Sequence, residues 1–199
     1  TYFYSKSLLY GIILVSFLSL LINFFLPLNI YISSFIPAIG FFLLIISRKF
    51  VLRLSFLKFL IIIAFTTTLF LAESNVYRPD AGLYHLPYIG ILNSEKIIFG
   101  ISNLHFRYSL TSIIQYFDAI NNNLIFKNNG IVFGQILVAL AVITNFFSIL
   151  INYLKKREFN FHFFFLFFVM IYISYKMNRY SEYGNDSPAH FLVFFLISE

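Results

Sequence analysis

The chain contains no cysteine, which excludes a disulfide framework, a thiol nucleophile and a cysteine-based metal site. Tryptophan is also missing, and there are only 5 prolines and 8 glycines to break regular structure. The scarcity that decides the class is that of charge. Only 11% of the residues are Asp, Glu, Lys or Arg, against about 25% in a soluble domain whose surface must be hydrated. Apolar residues make up 60% of the chain and the mean hydropathy is +0.84. Such a chain is expected to be an integral membrane protein, with the lipid bilayer as its main partner. The net charge of +6 does not indicate nucleic acid, because the basic residues lie between apolar runs, where topology signals belong.

The apolar runs predict an all-α fold, a polytopic transmembrane helix bundle. No charge occurs from Ser7 to Ser47, a stretch that as one helix would reach about 62 Å and therefore covers two crossings. Pro27-Leu28-Asn29 is the expected break, since proline lacks a donor and asparagine suits a turn. The spans are placed at 8–26, 30–47, 54–72, 131–151 and 161–175, with a sixth starting near Ala189 and cut short. Five full spans and a truncated sixth, without an initiator Met, suggest that residues 1–199 are a fragment of one integral membrane domain. Arg48, Lys49 and Arg53, then Lys155, Lys156 and Arg157, mark two cytoplasmic connections by the positive-inside rule. Alternation puts the N-terminus of the fragment in the cytoplasm. It puts residues 73–130 and 176–188 outside, in what is expected to be a bacterial inner (plasma) membrane.

Residues 73–130 are far longer than an ordinary helix–helix connection, yet apolar residues recur through them. Leu110, Ile113, Ile114 and Phe117 share one helical face, so 107–120 is expected to be an interfacial helix with Ser112, Gln115 and Asp118 on its polar side. Leu83, Leu86 and Ile89 predict a second short helix, with Asp80 as a candidate N-cap and Pro87 limiting its length. Arg78, Asp80, Tyr84, His85, His105 and Arg107 fall around two turns marked by Pro79, Gly82 and Gly100. The second outer connection adds Arg179, Glu182, Asp186 and, at the head of the sixth span, His190. His162, at the other end of the fifth span, is read as an interfacial residue.

The stretches Arg78-Pro79-Asp80-Ala81-Gly82-Leu83-Tyr84-His85-Leu86-Pro87, Gly100-Ile101-Ser102-Asn103-Leu104-His105-Phe106-Arg107 and Arg179–Pro188 resemble a group of uncharacterised bacterial polytopic membrane proteins. That group is similar to the GT-C-fold glycosyltransferases, which use lipid-linked sugar donors. The resemblance implies a sugar transferase fed by a polyprenyl-phosphate-linked donor, with Asp80 in the position of the acidic catalytic residue. Two differences from those enzymes are visible: the long loop follows the third span, and Ala81 stands where a second acid is usual.

The residues themselves can supply such chemistry. A carboxylate can take the proton of an acceptor hydroxyl, and arginine forks suit a departing phosphate. Asp80 is the candidate base, Arg107 and Arg179 the candidate phosphate ligands, and His85, His105 and Asp186 further substrate-binding candidates. A divalent metal on Asp80 and Asp186 is compatible with this set, but no spacing demands a cofactor. A lipid-linked glycan polymerase or ligase, a transporter and a non-catalytic membrane protein remain alternative readings.

Overall fold

The computed structural model describes residues 2–47, 54–73 and 79–198. Arg48, Lys49, Arg53 and Arg78 lie outside the described residues. Those described form eight α-helices: α1 (Tyr2–Asn23), α2 (Ile30–Ile46), α3 (Leu54–Glu73), α4 (Leu86–Ser94), α5 (Ile113–Asn121), α6 (Phe133–Lys156), α7 (Phe161–Tyr180) and α8 (Asp186–Ser198). A π-helical turn at Ala81–His85 leads into α4, and 3-10 turns occupy Ile101–Asn103, Phe106–Ser109 and Lys127–Val132.

Local chemistry sets the boundaries. The Asn29 carboxamide accepts from Tyr31 and Ile32 N–H at 3.1 Å each, starting α2 beyond Pro27, and α2 then runs on through Pro37. Asn160 caps α7 through Phe163 N–H at 2.9 Å. Helix α6 carries Lys155 and Lys156 in its last turn and stops at Arg157 in the left-handed region, φ 56°; the two lysines also favour the negative end of the helix dipole.

Two helices organise the packing. Helix α6 touches α1, α3, α5, α7 and α8, and the short α5 touches α1, α2, α4 and α6. The interior is lined by apolar side chains such as Ile114, Val138, Val142, Phe146, Leu166 and Phe191. At one end an asparagine clasp ties the α1–α2 turn to α4 and α5. Asn23 Nδ2 donates to Glu95 O at 3.0 Å, and Asn93 Nδ2 donates to Leu28 O at 2.7 Å and Ala119 O at 2.9 Å. Asn122 Nδ2 in turn donates to Asn93 Oδ1 at 2.9 Å.

The perimeter is apolar. Phe17, Phe35, Phe41, Phe65 and Phe168 are all more than half exposed, an arrangement that marks a lipid or partner interface rather than a water-facing surface. Among the described residues, Phe3–Asn23 and Lys127–Lys156 are helical, long and apolar enough to cross a bilayer. Shorter apolar helices cover Ile30–Ile46, Leu57–Leu69, Phe161–Met177 and Asp186–Ser198. These features point to a membrane protein.

The segment 107–120 differs from the single interfacial helix expected. Residues 106–109 form a 3-10 turn, and the α-helix restarts at Ile113. A capping box causes the restart: Ser112 Oγ accepts from Ile114 N–H and Gln115 Oε1 accepts from Ser112 N–H, the reciprocal pairing that begins a helix. The resulting nine residues span about 14 Å. Gln115 and Asp118 are buried rather than solvated.

Candidate functional site

The helix before α4 carries an extra residue in one turn. Leu86 N–H donates to Ala81 O, five residues back, and Pro87, which has no N–H to give, follows at once. The π turn accommodates Pro87 inside the helix, so the proline does not end it; α4 continues to Ser94. Such turns are frequent at functional sites, and this one carries two aromatic side chains, Tyr84 and His85. Asp80 has helical backbone angles and makes no side-chain cap bond, so it is not the N-cap that its position suggested. Its Oδ1 accepts from Arg107 Nη1 at 3.0 Å instead.

Arg107 lies 4.8 Å from the Tyr84 ring centroid, close enough for a cation–π contact. His105 is the cap of the 3-10 turn that bears Arg107, its Nδ1 accepting from Arg107 N–H at 3.3 Å. It does not line the cavity described next.

The two loop regions meet. A cavity of about 280 Å³ is walled by Asp80 and His85 from the first, and by Arg179 at the end of α7, Glu182 in the α7–α8 connection, and Asp186 and His190 at the start of α8. Beside it runs an apolar groove of about 720 Å³ between α7 and α8, lined by Phe164, Phe165, Phe168 and Phe194. Tyr180 and His190 belong to both walls, so the apolar groove and the polar cavity adjoin.

Beneath the cavity lies a set of buried polar side chains. Gln135 of α6 donates from Nε2 to Tyr180 O and accepts from Gly184 N–H at 3.3 Å, which fastens the α7–α8 connection to α6. Asp118 accepts from Gly134 N–H at 2.8 Å and from the Tyr183 hydroxyl at 3.2 Å. Burial drives the Asp118 carboxyl well above the usual carboxylate range, and these two hydrogen bonds only partly oppose it. Burial, then the neighbouring Asp118, pushes the Tyr183 phenol upward as well.

Gln115 Nε2 lies 3.2 Å from His85 Nδ1. Burial lowers the His85 pKa below its ordinary 6.5; Asp80 and Asp186 pull it upward, and Arg107 reinforces the lowering.

Of the sequence candidates, Asp80, His85, Arg179 and Asp186 therefore share one cavity, Arg107 is paired to its rim, and His105 stands behind. Among the described residues no group of three His, Asp or Glu is placed to hold a metal ion. His162, read as merely interfacial, joins three helices: its Nε2 donates to Ser198 O at 3.1 Å and its Nδ1 meets the Tyr153 hydroxyl at 3.0 Å. Gln115, Asp118, Gln135 and Tyr183 were not among the site candidates. The Ser112-x-x-Gln115 capping-box pattern and the glycine at 134 were the signals that could have pointed to a buried, closely packed α5.

No curated protein matches the chain, and no solved structure matches it. The family model for a domain of unknown function (DUF8201) matches residues 1–199, and the chain belongs to that family.

Proposed function

We propose that this chain is a glycosyltransferase-like membrane protein, or part of one, that transfers a sugar from a polyprenyl-phosphate donor at the outer face of the membrane. The observation that carries the reading is the adjoining of the apolar α7–α8 groove and the polar cavity at Tyr180 and His190. A long isoprenoid tail and a charged sugar-phosphate head require such a pair of environments side by side. In this reading the helices α1–α3 and α6–α8 are all set in the bilayer, with the cavity at its outer edge.

The chemistry follows from the residues on the wall. The acceptor oxygen attacks the anomeric carbon as its proton passes to Asp80. The bond from that carbon to the phosphate oxygen breaks, with its electron pair leaving on phosphate. Charge on the leaving phosphate is met by Arg179 and by Arg107, whose planar fork suits two oxygens. Arg107 is already on Asp80; an entering phosphate would draw it away and free the carboxylate for the acceptor. Glu182 and Asp186 suit the remaining sugar hydroxyls as acceptors.

A transporter is the second reading. It draws on Asn145 of α6, fully buried with neither side-chain polar atom hydrogen-bonded among the described residues, since polar groups inside a span often mark transport paths. It stays second because no broken helix accompanies that residue.

The test uses the full-length protein in nanodiscs, offered a panel of polyprenyl-phosphate sugars, with release of free polyprenyl phosphate as the common readout. Wild type is expected to release it, and Asp80→Asn to lose at least about 100-fold, the usual weight of a general base, while remaining folded. Arg107→Lys is expected to slow release as well. No release from any donor, or full activity in Asp80→Asn, would overturn the proposal.

A further inference from the structure

The Gln115 carboxamide is held in one orientation. The Ser112 backbone N–H at 3.0 Å can be accepted only by the carbonyl end, Oε1. The amide nitrogen is therefore the end that lies 3.2 Å from His85 Nδ1. An amide nitrogen donates and does not accept. Nδ1 must then present its lone pair, and a neutral His85 carries its proton on Nε2. That nitrogen makes no hydrogen bond to the described residues. It lies at the cavity wall close to Gly184, where an added Cβ would come within 3.3 Å of it.

We infer that Gln115 is a positioning residue that fixes His85 as a neutral Nε2–H donor facing the cavity, placed to meet an oxygen of a phosphate-bearing ligand. The fixed tautomer stands on geometry alone, whereas the phosphate as acceptor rests on the proposed function. Protonation of His85 would set a second N–H against the Gln115 amide, so the same contact opposes the imidazolium form. The groups around His85 divide. Burial and Arg107 act against the charged form, and Asp80 and Asp186 act for it. The rings of Tyr84 and Tyr183 pack against it at centroid distances of 4.1 and 5.9 Å, and Glu182 stands on the same cavity wall. His85 is thus a donor and not the general base, which leaves that task to Asp80.

The experiment is nitrogen-15 NMR of histidine-labelled full-length protein in nanodiscs. Residues 1–199 contain 4 histidines, and His85→Gln identifies the resonance. The expected wild-type signature at neutral pH is a protonated Nε2 and a bare Nδ1. Gln115→Glu should move the proton to Nδ1, because a carboxylate accepts from both Ser112 and His85, and should raise the His85 titration by about one pH unit or more. Gln115→Met, which keeps the bulk but loses the amide, should leave a mixture of tautomers if the Glu variant does not fold. A wild-type Nδ1–H signature, or variants with the unchanged wild-type signature, would overturn the assignment. Inorganic phosphate and nanodiscs doped with polyprenyl phosphate are then the ligand probes. A shift of the Nε2–H resonance with either supports the donor role, and a shift with the lipid alone places the source in the bilayer. No shift with either removes the donor role, a failure read separately from any loss of transfer.

Discussion

Asp118 is only 3% exposed, and each of its oxygens has one protein donor, Gly134 N–H and the Tyr183 hydroxyl. A buried carboxyl with its pKa raised binds its proton more tightly folded than unfolded. Its stabilising contribution is full below the ordinary 3.8 and is lost as pH rises toward the folded value. Asp118→Asn keeps the shape and removes the titration, so thermal unfolding in detergent should show a flatter pH dependence above about pH 4; an unchanged slope would refute the assignment. Asp118→Ala leaves two buried donors unsatisfied and should cost about 1–3 kcal/mol for each. His85 acts with the opposite sign. Its lowered pKa makes stability fall as pH drops from 6.5 toward the folded value. The spacing alone puts Asp118 and Gln115 on the polar side of an interfacial helix. A period of 3.6 shows that two residues share a face, but not whether that face meets water or a satisfied polar interior.

At the scale of elements, α5 approaches α6 where Gly134 has no side chain. A Cβ there would collide with the Asp118 carboxylate and with Ile114 Cγ2 at 2.7 Å. Gly134→Ala should therefore destabilise by about 1–3 kcal/mol through overpacking and release the Tyr183 contact. Gly11→Ala is the control. Among the described residues, nothing beyond the backbone of α1 itself lies within 4 Å of a Cβ at Gly11, and alanine is the better helix former by about 1 kcal/mol. Equal effects at the two glycines, read by denaturant unfolding, would contradict this packing. The start of α2 was legible because Pro27 and Asn29 act within a few residues, through a missing donor and a side-chain cap. The π turn before Pro87 was not. Proline signals only that one helical bond is missing, and the chain can either stop or widen by one residue.

For the whole molecule, hydropathy and charge scarcity conveyed the helical membrane character, since they sum over many residues. They could not convey that α5, far too short to cross a bilayer, is a packing centre, nor which polar residues of the 80–107 segment and of the α7–α8 corner come to one cavity. That depends on contacts between residues 80–107 and 179–190, distant in sequence. In the proposed function, a polyprenyl-phosphate ligand lies with its head in this cavity and its tail along α7 and α8. Photo-crosslinking tests it most directly, using the full-length protein in nanodiscs and polyprenyl-phosphate probes with a photoreactive group at the head or on the tail. The head probe should label peptides containing Tyr84, His85 or His190, and the tail probe peptides spanning Phe164 to Phe168, both competed by unmodified polyprenyl phosphate. Labelling confined to the exposed faces of α1 and α2, and insensitive to competitor, would contradict the account.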